Sequence, residues 1–140
     1  MQSQFLGDET MQETFEGLAL FVAYLSAGLV MLAAFTTIYL WITPYDEATE
    51  IKAGHLAPAI ALCGAMLGFT FPLLVASSVR TGFVDFAGWS IVACVVQVLV
   101  FWALHRILPR VIETNNPAGA LCFATASICA GLLNAASFLI

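Results

Sequence analysis

The sequence predicts an all-α integral membrane protein, built as a bundle of four transmembrane helices. Of its 140 residues, 61% are hydrophobic and 9% are charged, and the mean hydropathy is +0.97, whereas an ordinary soluble domain carries about 25% charged residues. Four apolar stretches each reach the roughly 20 residues that a helix needs to cross a bilayer. The charged residues lie outside these stretches, except for Arg106 near the end of the third.

The first stretch covers residues 17–42 and follows an acidic segment, residues 1–16. A secretory signal peptide has a basic start and an apolar core of about 7–15 residues. Because this flank is acidic and the apolar run is longer, we expect the segment to stay in the mature protein. The predicted organisation is therefore an acidic N-terminal segment and a transmembrane domain over residues 17–140.

The other three stretches cover residues 56–78, 86–108 and 118–140. Pro44 and Pro109 follow the first and third, where proline stops a helix, and Pro58 and Pro117 occupy first-turn positions that tolerate it. The connections are short, so consecutive helices are expected to be antiparallel neighbours in a bundle.

The basic residues predict an orientation for these helices. Lys52, Arg106 and Arg110 fall on one side of the membrane and Arg80 on the other. Since Lys and Arg are enriched in cytoplasmic loops, both termini are predicted to be periplasmic and the protein to be multi-pass. The net charge of −5 leaves no basic patch for nucleic acid.

The second and fourth stretches resemble each other. Residues 58–78 and 117–137 align without a gap, and ten of the 21 aligned residues are identical. This indicates two tandem helical hairpins, repeated in parallel about an axis along the membrane normal. A shared bias towards Ala and Leu is the alternative explanation.

Small residues recur at helical spacing along both copies. In lipid, such stripes let helix backbones approach closely and drive association. We interpret them as packing inside the bundle, and leave open a homo-oligomer seam. The candidate packing positions are Gly64, Gly68, Pro72, Ala120, Ala124, Ser127 and Gly131.

Polar residues at membrane depth are the candidate functional positions. Gln97 and Asn134 lie within the third and fourth stretches, and no ionisable residue lies near a span centre, which argues against proton-coupled transport. Each amide would either bond a neighbouring helix or line a polar lumen or head-group site. Arg80 and Asp85 are predicted to form an ion pair at the outer face.

Catalysis and cofactor binding find little support in the sequence. No hydrolase, zinc-protease or phosphate-loop motif occurs, so no enzyme and no cofactor are expected. The four cysteines, which lack metal-site spacing, are interpreted as small packing residues. Haem ligation by His55 and His105 is the minor alternative to an interfacial role.

Several short motifs resemble the YjfL-like bacterial inner-membrane family, also called domain of unknown function 350. The similar residues are Ile42-Thr43-Pro44, Glu47, Ile51-Lys52, Gly64, Leu67-Gly68-Phe69, Pro72-Leu73, Asp85-Phe86, Trp89, Gln97, Asn116, Gly119 and Asn134-Ala135-Ala136. The resemblance implies a four-helix inner-membrane protein without established activity, whose relatives are often encoded beside PspA-type membrane-stress proteins and glutathionylspermidine-synthase-like ligases.

These observations favour a non-enzymatic inner-membrane protein that self-associates, as a scaffold or as a partner subunit for membrane-stress or remodelling proteins. The alternative is a small pore or channel, or a lipid-binding protein. The two differ at Gln97 and Asn134, which would lie in sealed helix contacts in a scaffold and along a hydrated cavity in a pore.

Overall fold

A computed structural model describes residues 2–43, 46–79, 82–108 and 110–140, with side chains described from residue 11. Within these ranges the chain is all-α and holds no strand. The helices are α1 (Gln2–Ile42), α2 (Glu47–Lys52), α3 (Leu56–Val79), α4 (Phe83–Ile107) and α5 (Pro117–Ser137). Four of them, α1 (over Met11–Ile42), α3, α4 and α5, are long and apolar enough to cross a membrane. This confirms the predicted fold class.

The four long helices alternate in direction. The helices α3 and α5 run parallel. Their beginnings are joined by the Ala57 amide, which donates to Asn115 Oδ1 at 3.0 Å. Further along both helices, Gly64 faces Ala124 and Gly68 faces Ser127. They form the most extensive helix pair, and α4 packs against both. The α3–α4–α5 group therefore forms the centre of the bundle.

The long α1 helix lies beside this group, against α3 and α4. Aromatic rings make its main contacts. Phe35 stacks on Phe69 of α3 with ring centroids 4.6 Å apart, and Tyr39 meets Phe101 of α4 at 4.4 Å. Nearer the N-terminal end, Tyr24 lies edge-on to Phe86 of α4, at 5.3 Å.

At the opposite end of the bundle, side chains cap two helices. Asn115, in a left-handed conformation with φ 47°, caps α3 through Ala57, and Asn116 caps α5 by accepting from the amides of Ala118 and Gly119 at 3.1 and 3.3 Å. Capping side chains satisfy amides that a helix start leaves unpaired. The adjacent Asn115 and Asn116 thus fix the starts of the parallel pair α3 and α5.

The short helix α2 has a cap of its own. Asp46 accepts from the Thr49 hydroxyl at 2.7 Å and from the Thr49 amide at 3.2 Å. Both bonds lower the pKa of this exposed carboxyl below its usual 3.8, and the hydroxyl bond has the larger effect. Asp46 therefore stays ionised, as a helix N-terminus favours.

Helix boundaries differ from those predicted mainly at the N-terminus. One continuous helix begins at Gln2 and passes without a break through the predicted boundary at residue 17. Glutamates and glutamines are good helix formers, so the acidic segment continues the helix. The tandem repeat, the domain division and the orientation stay predictions, and Pro44 and Pro109 lie outside the described residues.

Candidate functional site

The Gln97 side chain lies where α3, α4 and α5 meet, and it is fully buried, with 0% exposure. Its Nε2 donates to the Ser127 hydroxyl at 2.8 Å and to the Ser127 carbonyl at 3.1 Å. The bare Cα of Gly68 provides the space for this amide, because a Cβ there would lie 2.5 Å from Nε2. We call Gln97, Gly68, Pro72, Ser127 and Gly131 the Gln97 junction.

Pro72 changes the hydrogen bonding of this junction. Proline has no amide hydrogen, so Pro72 leaves the carbonyl of the residue four positions earlier, Gly68, without its helical partner. Gly131 of α5 lies against that carbonyl so closely that a Cβ on Gly131 would collide with it. This close approach directs a Cα–H of Gly131 at the carbonyl, in the arrangement of the weak hydrogen bonds that recur at close helix contacts.

The same close approach extends towards the capped end of the pair. Gly64 faces Ala124 with no room for a side chain at position 64, and Ala120 is fully buried. All seven candidate packing positions therefore lie along the α3–α5 contact or beside it and are buried. These small residues allow the backbones of α3 and α5 to pack more closely than larger side chains would permit.

Two buried polar atoms have no hydrogen-bond partner among the described residues. They are Gln97 Oε1 and Asn134 Nδ2. The structure brings Gln97 into the junction, whereas Asn134 lies half-buried on α5 and has no bond to the junction residues that are described. The two amides thus do not form one polar path with each other.

The other candidate positions lie at the surface. Asp85 is exposed in the first turn of α4, and Arg80, its predicted partner, lies outside the described residues. The sequence predicts that the four cysteines pack inside the bundle. In the structure, Cys63, Cys122 and Cys129 are instead exposed and Cys94 is half-buried. Within the described residues, no three of His, Cys, Asp and Glu come close enough to hold a metal ion.

Sequence reasoning assigned no role to two features of the structure. Glu47 on α2 is buried, with 1% exposure, although its position in a charged loop gave no sign of this. A crevice of about 410 Å³ opens between α1 and α3, with Gly28 on its wall. The one residue in the sequence that could have indicated this crevice is Gly28, because neither a turn nor a close helix contact explains a glycine at that position.

Comparison with known proteins gives the family. The family described as Domain of Unknown Function (DUF350) matches residues 13–138. The chain belongs to this family. Its membership confirms the resemblance seen in the sequence, and the matched DUF350 region contains α3, α4 and α5 and the part of α1 from residue 13 onward.

Relatives of this DUF350 protein occur in Escherichia coli and Bacillus subtilis. It is 33% identical over 124 residues to the UPF0719 inner membrane protein YjfL of Escherichia coli K12, covering 86% of this chain and 94% of that protein. It is 28% identical over 101 residues to the UPF0719 transmembrane protein YshE of Bacillus subtilis, covering 69% and 75%. No solved structure matches the chain significantly.

Proposed function

We propose that this protein is a non-enzymatic scaffold of the bacterial inner membrane that associates with other copies of itself, and with membrane-stress or remodelling proteins, through α1. The observation that carries the proposal is the sparse internal packing of α1. In its most apolar stretch 6% of the residues are buried within the chain, against 44% in α3. A helix that adds so little to its own bundle is free to pack against another.

The length of α1 supports the same proposal. At 1.5 Å per residue its 41 residues extend about 60 Å, which is twice the roughly 30 Å hydrocarbon thickness of a bilayer. Phe35 stacks on Phe69 of α3 and the two helices run in opposite directions, so the end of α3 at Val79 lies near the level of Leu25 of α1. Residues 2–17 therefore project past α3, where they can reach a partner outside the hydrocarbon region.

The outer face of α1 has the composition of a helix-association surface. Ala19, Ser26 and Ala33 follow one another at seven-residue spacing and are exposed, on the side of α1 opposite to Phe35. The Ser26 hydroxyl donates to the Val22 carbonyl at 2.7 Å, so it places no unpaired donor on this face. Small residues in such a row let a second helix approach closely.

The interior of the bundle favours a scaffold over a pore. A pore would place Gln97 along a hydrated path, but its amide is fully buried against Gly68 and Ser127. Ser90, about two turns from Gln97 on α4, is also fully buried, and its hydroxyl donates to the Phe86 carbonyl at 2.7 Å. The Ser90 hydroxyl and the Gln97 Nε2 donor are thus used for internal bonds.

Cysteine cross-linking in native membranes tests the proposal. In a background with the four natural cysteines replaced by alanine, Ser26→Cys and Ala33→Cys are expected to give disulfide-linked dimers on mild oxidation. A disulfide requires Cα atoms within about 7 Å, so it reports a direct α1–α1 contact. Ala27→Cys is the matched control, because Ala27 lies at the same depth but packs towards the core.

The pattern of the dimers decides the outcome. Dimers from the outer-face positions and none from Ala27→Cys support association through α1. Equal dimer yield at all three positions would indicate random collision, and no dimer at any position would reject self-association through α1. An affinity purification from native membranes, repeated with Ala33→Trp to block the face, then tests whether other proteins bind there.

A further inference from the structure

The crevice between α1 and α3 has the shape and lining of a binding site for one lipid chain. Its volume is about 410 Å³, within the range of about 300–1,000 Å³ that is usual for small-molecule sites. The lining side chains are predominantly apolar. Of its three hydroxyl-bearing side chains, Tyr24, Thr70 and Ser77, the last two already donate to backbone carbonyls of their own helix, those of Met66 and Leu74. Water would find little to bond there.

We propose that this crevice holds a single acyl chain of a membrane phospholipid. The site goes beyond the scaffold function and does not depend on it. The crevice extends along α1 from Phe21 to Leu32, a rise of about 16 Å. This is about half of the roughly 30 Å hydrocarbon thickness, so the crevice is one leaflet deep.

The dimensions favour a thin hydrocarbon chain over a whole helix as the occupant. An α-helix is about 10 Å across with its side chains, and a 16 Å length of it would occupy about 1,200 Å³. The crevice offers about a third of that volume. An extended hydrocarbon chain is thin enough to enter, and the surrounding bilayer supplies it.

The α1 wall of the crevice is packed at Tyr24 and open at Gly28. Tyr24 is held edge-on by Phe86 at 5.3 Å and Phe83 at 6.0 Å, which sets the spacing between α1 and α4 at this end. Gly28 lies one turn further along the same face of α1, and a Cβ there would meet nothing within 4 Å. The lack of a side chain at Gly28 thus keeps open the volume that the acyl chain would fill.

Substitution of Gly28 tests this assignment directly. Gly28→Leu places its side chain in the crevice without a clash and should displace the acyl chain. Gly88→Leu is the matched control, because Gly88 on α4 also has nothing within 4 Å of its Cβ position but does not line the crevice. Both variants make the same chemical change in a membrane helix.

The measurement is native mass spectrometry of protein taken from vesicles of phosphatidylethanolamine and phosphatidylglycerol. The wild type and Gly88→Leu are expected to retain one phospholipid per chain, and Gly28→Leu to retain about tenfold less, because its side chain takes the place of the dispersion contacts that hold the acyl chain. Ser77→Leu, which narrows the crevice from α3, should also lower retention. Circular dichroism verifies the fold of each variant.

Photo-cross-linking with a phospholipid that carries a diazirine on its acyl chain locates the bound chain. Adducts should concentrate on Tyr24, Leu25 and Thr70 in the wild type and decline in Gly28→Leu. Equal lipid retention in Gly28→Leu and Gly88→Leu, with both folded, would overturn the proposal. So would adducts spread evenly over the lipid-exposed surface, or disulfide dimers through Ser77→Cys that show a second copy in the crevice.

Discussion

Replacing Gly131 with alanine is the sharpest perturbation of the α3–α5 contact. The added methyl group would point into the backbone of Gly68, with the carbonyl carbon at 2.6 Å and the Cα at 2.7 Å. Carbon atoms in good contact lie about 3.5–4.0 Å apart, so the two helices would have to separate by about 1 Å. Backbone cannot move aside as a flexible side chain does.

The cost follows from this geometry. Overpacking of a tight contact costs about 1–3 kcal/mol, and the better helix propensity of alanine returns up to about 1 kcal/mol. We therefore expect Gly131→Ala to lose about 1–2 kcal/mol of unfolding free energy. Gly88→Ala is the control, since it gains the same propensity and meets nothing within 4 Å, and it should be neutral or slightly stabilising.

The assay is reversible unfolding of both variants in mixed detergent micelles, with increasing sodium dodecyl sulfate, followed by circular dichroism. Thermal unfolding gives a second measurement, in which 1 kcal/mol corresponds to a shift of roughly 4 °C in Tm for a domain of this size. Equal stability of Gly131→Ala and Gly88→Ala would show that the backbones of α3 and α5 are not in close contact at Gly131. It would also contradict the contact of Gly131 with the Gly68 carbonyl that Pro72 leaves without a helical donor.

Three other predictions concern hydrogen bonds. Gln97→Leu should lower the unfolding free energy by about 0.6–1.7 kcal/mol, the range for single hydrogen-bonding groups between membrane helices, and a loss above 3 kcal/mol would show a larger polar network than Ser127 provides. Asn116→Ala removes the cap of α5 and should cost about 1 kcal/mol in the same unfolding assay, whereas Asn116→Asp, which keeps the cap, should cost less. The carboxyl of Asp46 should titrate by NMR with a pKa below 3.8, and Thr49→Val should raise that pKa because it removes the hydroxyl donor. Since the folded-state pKa is lowered, Asp46 stabilises the fold above its unfolded pKa, and this stabilisation is lost as the pH falls through the folded pKa. An unchanged pKa in Thr49→Val would contradict the capping geometry.

The four membrane-crossing helices could be predicted from sequence because their signal is local. Twenty consecutive apolar residues leave few alternatives to a membrane helix, so α3, α4 and α5 begin and end within three residues of the predicted stretches. The start of α1 could not be found this way. Residues 2–16 lack the hydropathy that marked the span, although their composition permits a helix.

The Gln97 junction could be predicted in part. Gly68, Ser127 and Gly131 were selected for their small size and Gln97 for its polarity, but nothing in the sequence pairs them across three helices. That pairing depends on the relative rotation of the helices, which hydropathy does not encode. The roles of Asn115 and of the crevice at Gly28 depend on contacts between distant parts of the chain, and no local pattern indicates them.

Conductance across planar bilayers tests most directly whether the bundle is a sealed scaffold. Purified protein is reconstituted, with its insertion verified, and ionic current is recorded for the wild type and Gln97→Leu. Because Gln97 is fully buried against Gly68 and Ser127, neither protein should raise the current above that of a protein-free bilayer. A current carried by the wild type and abolished by Gln97→Leu would contradict the account and make the Gln97 junction part of a pore.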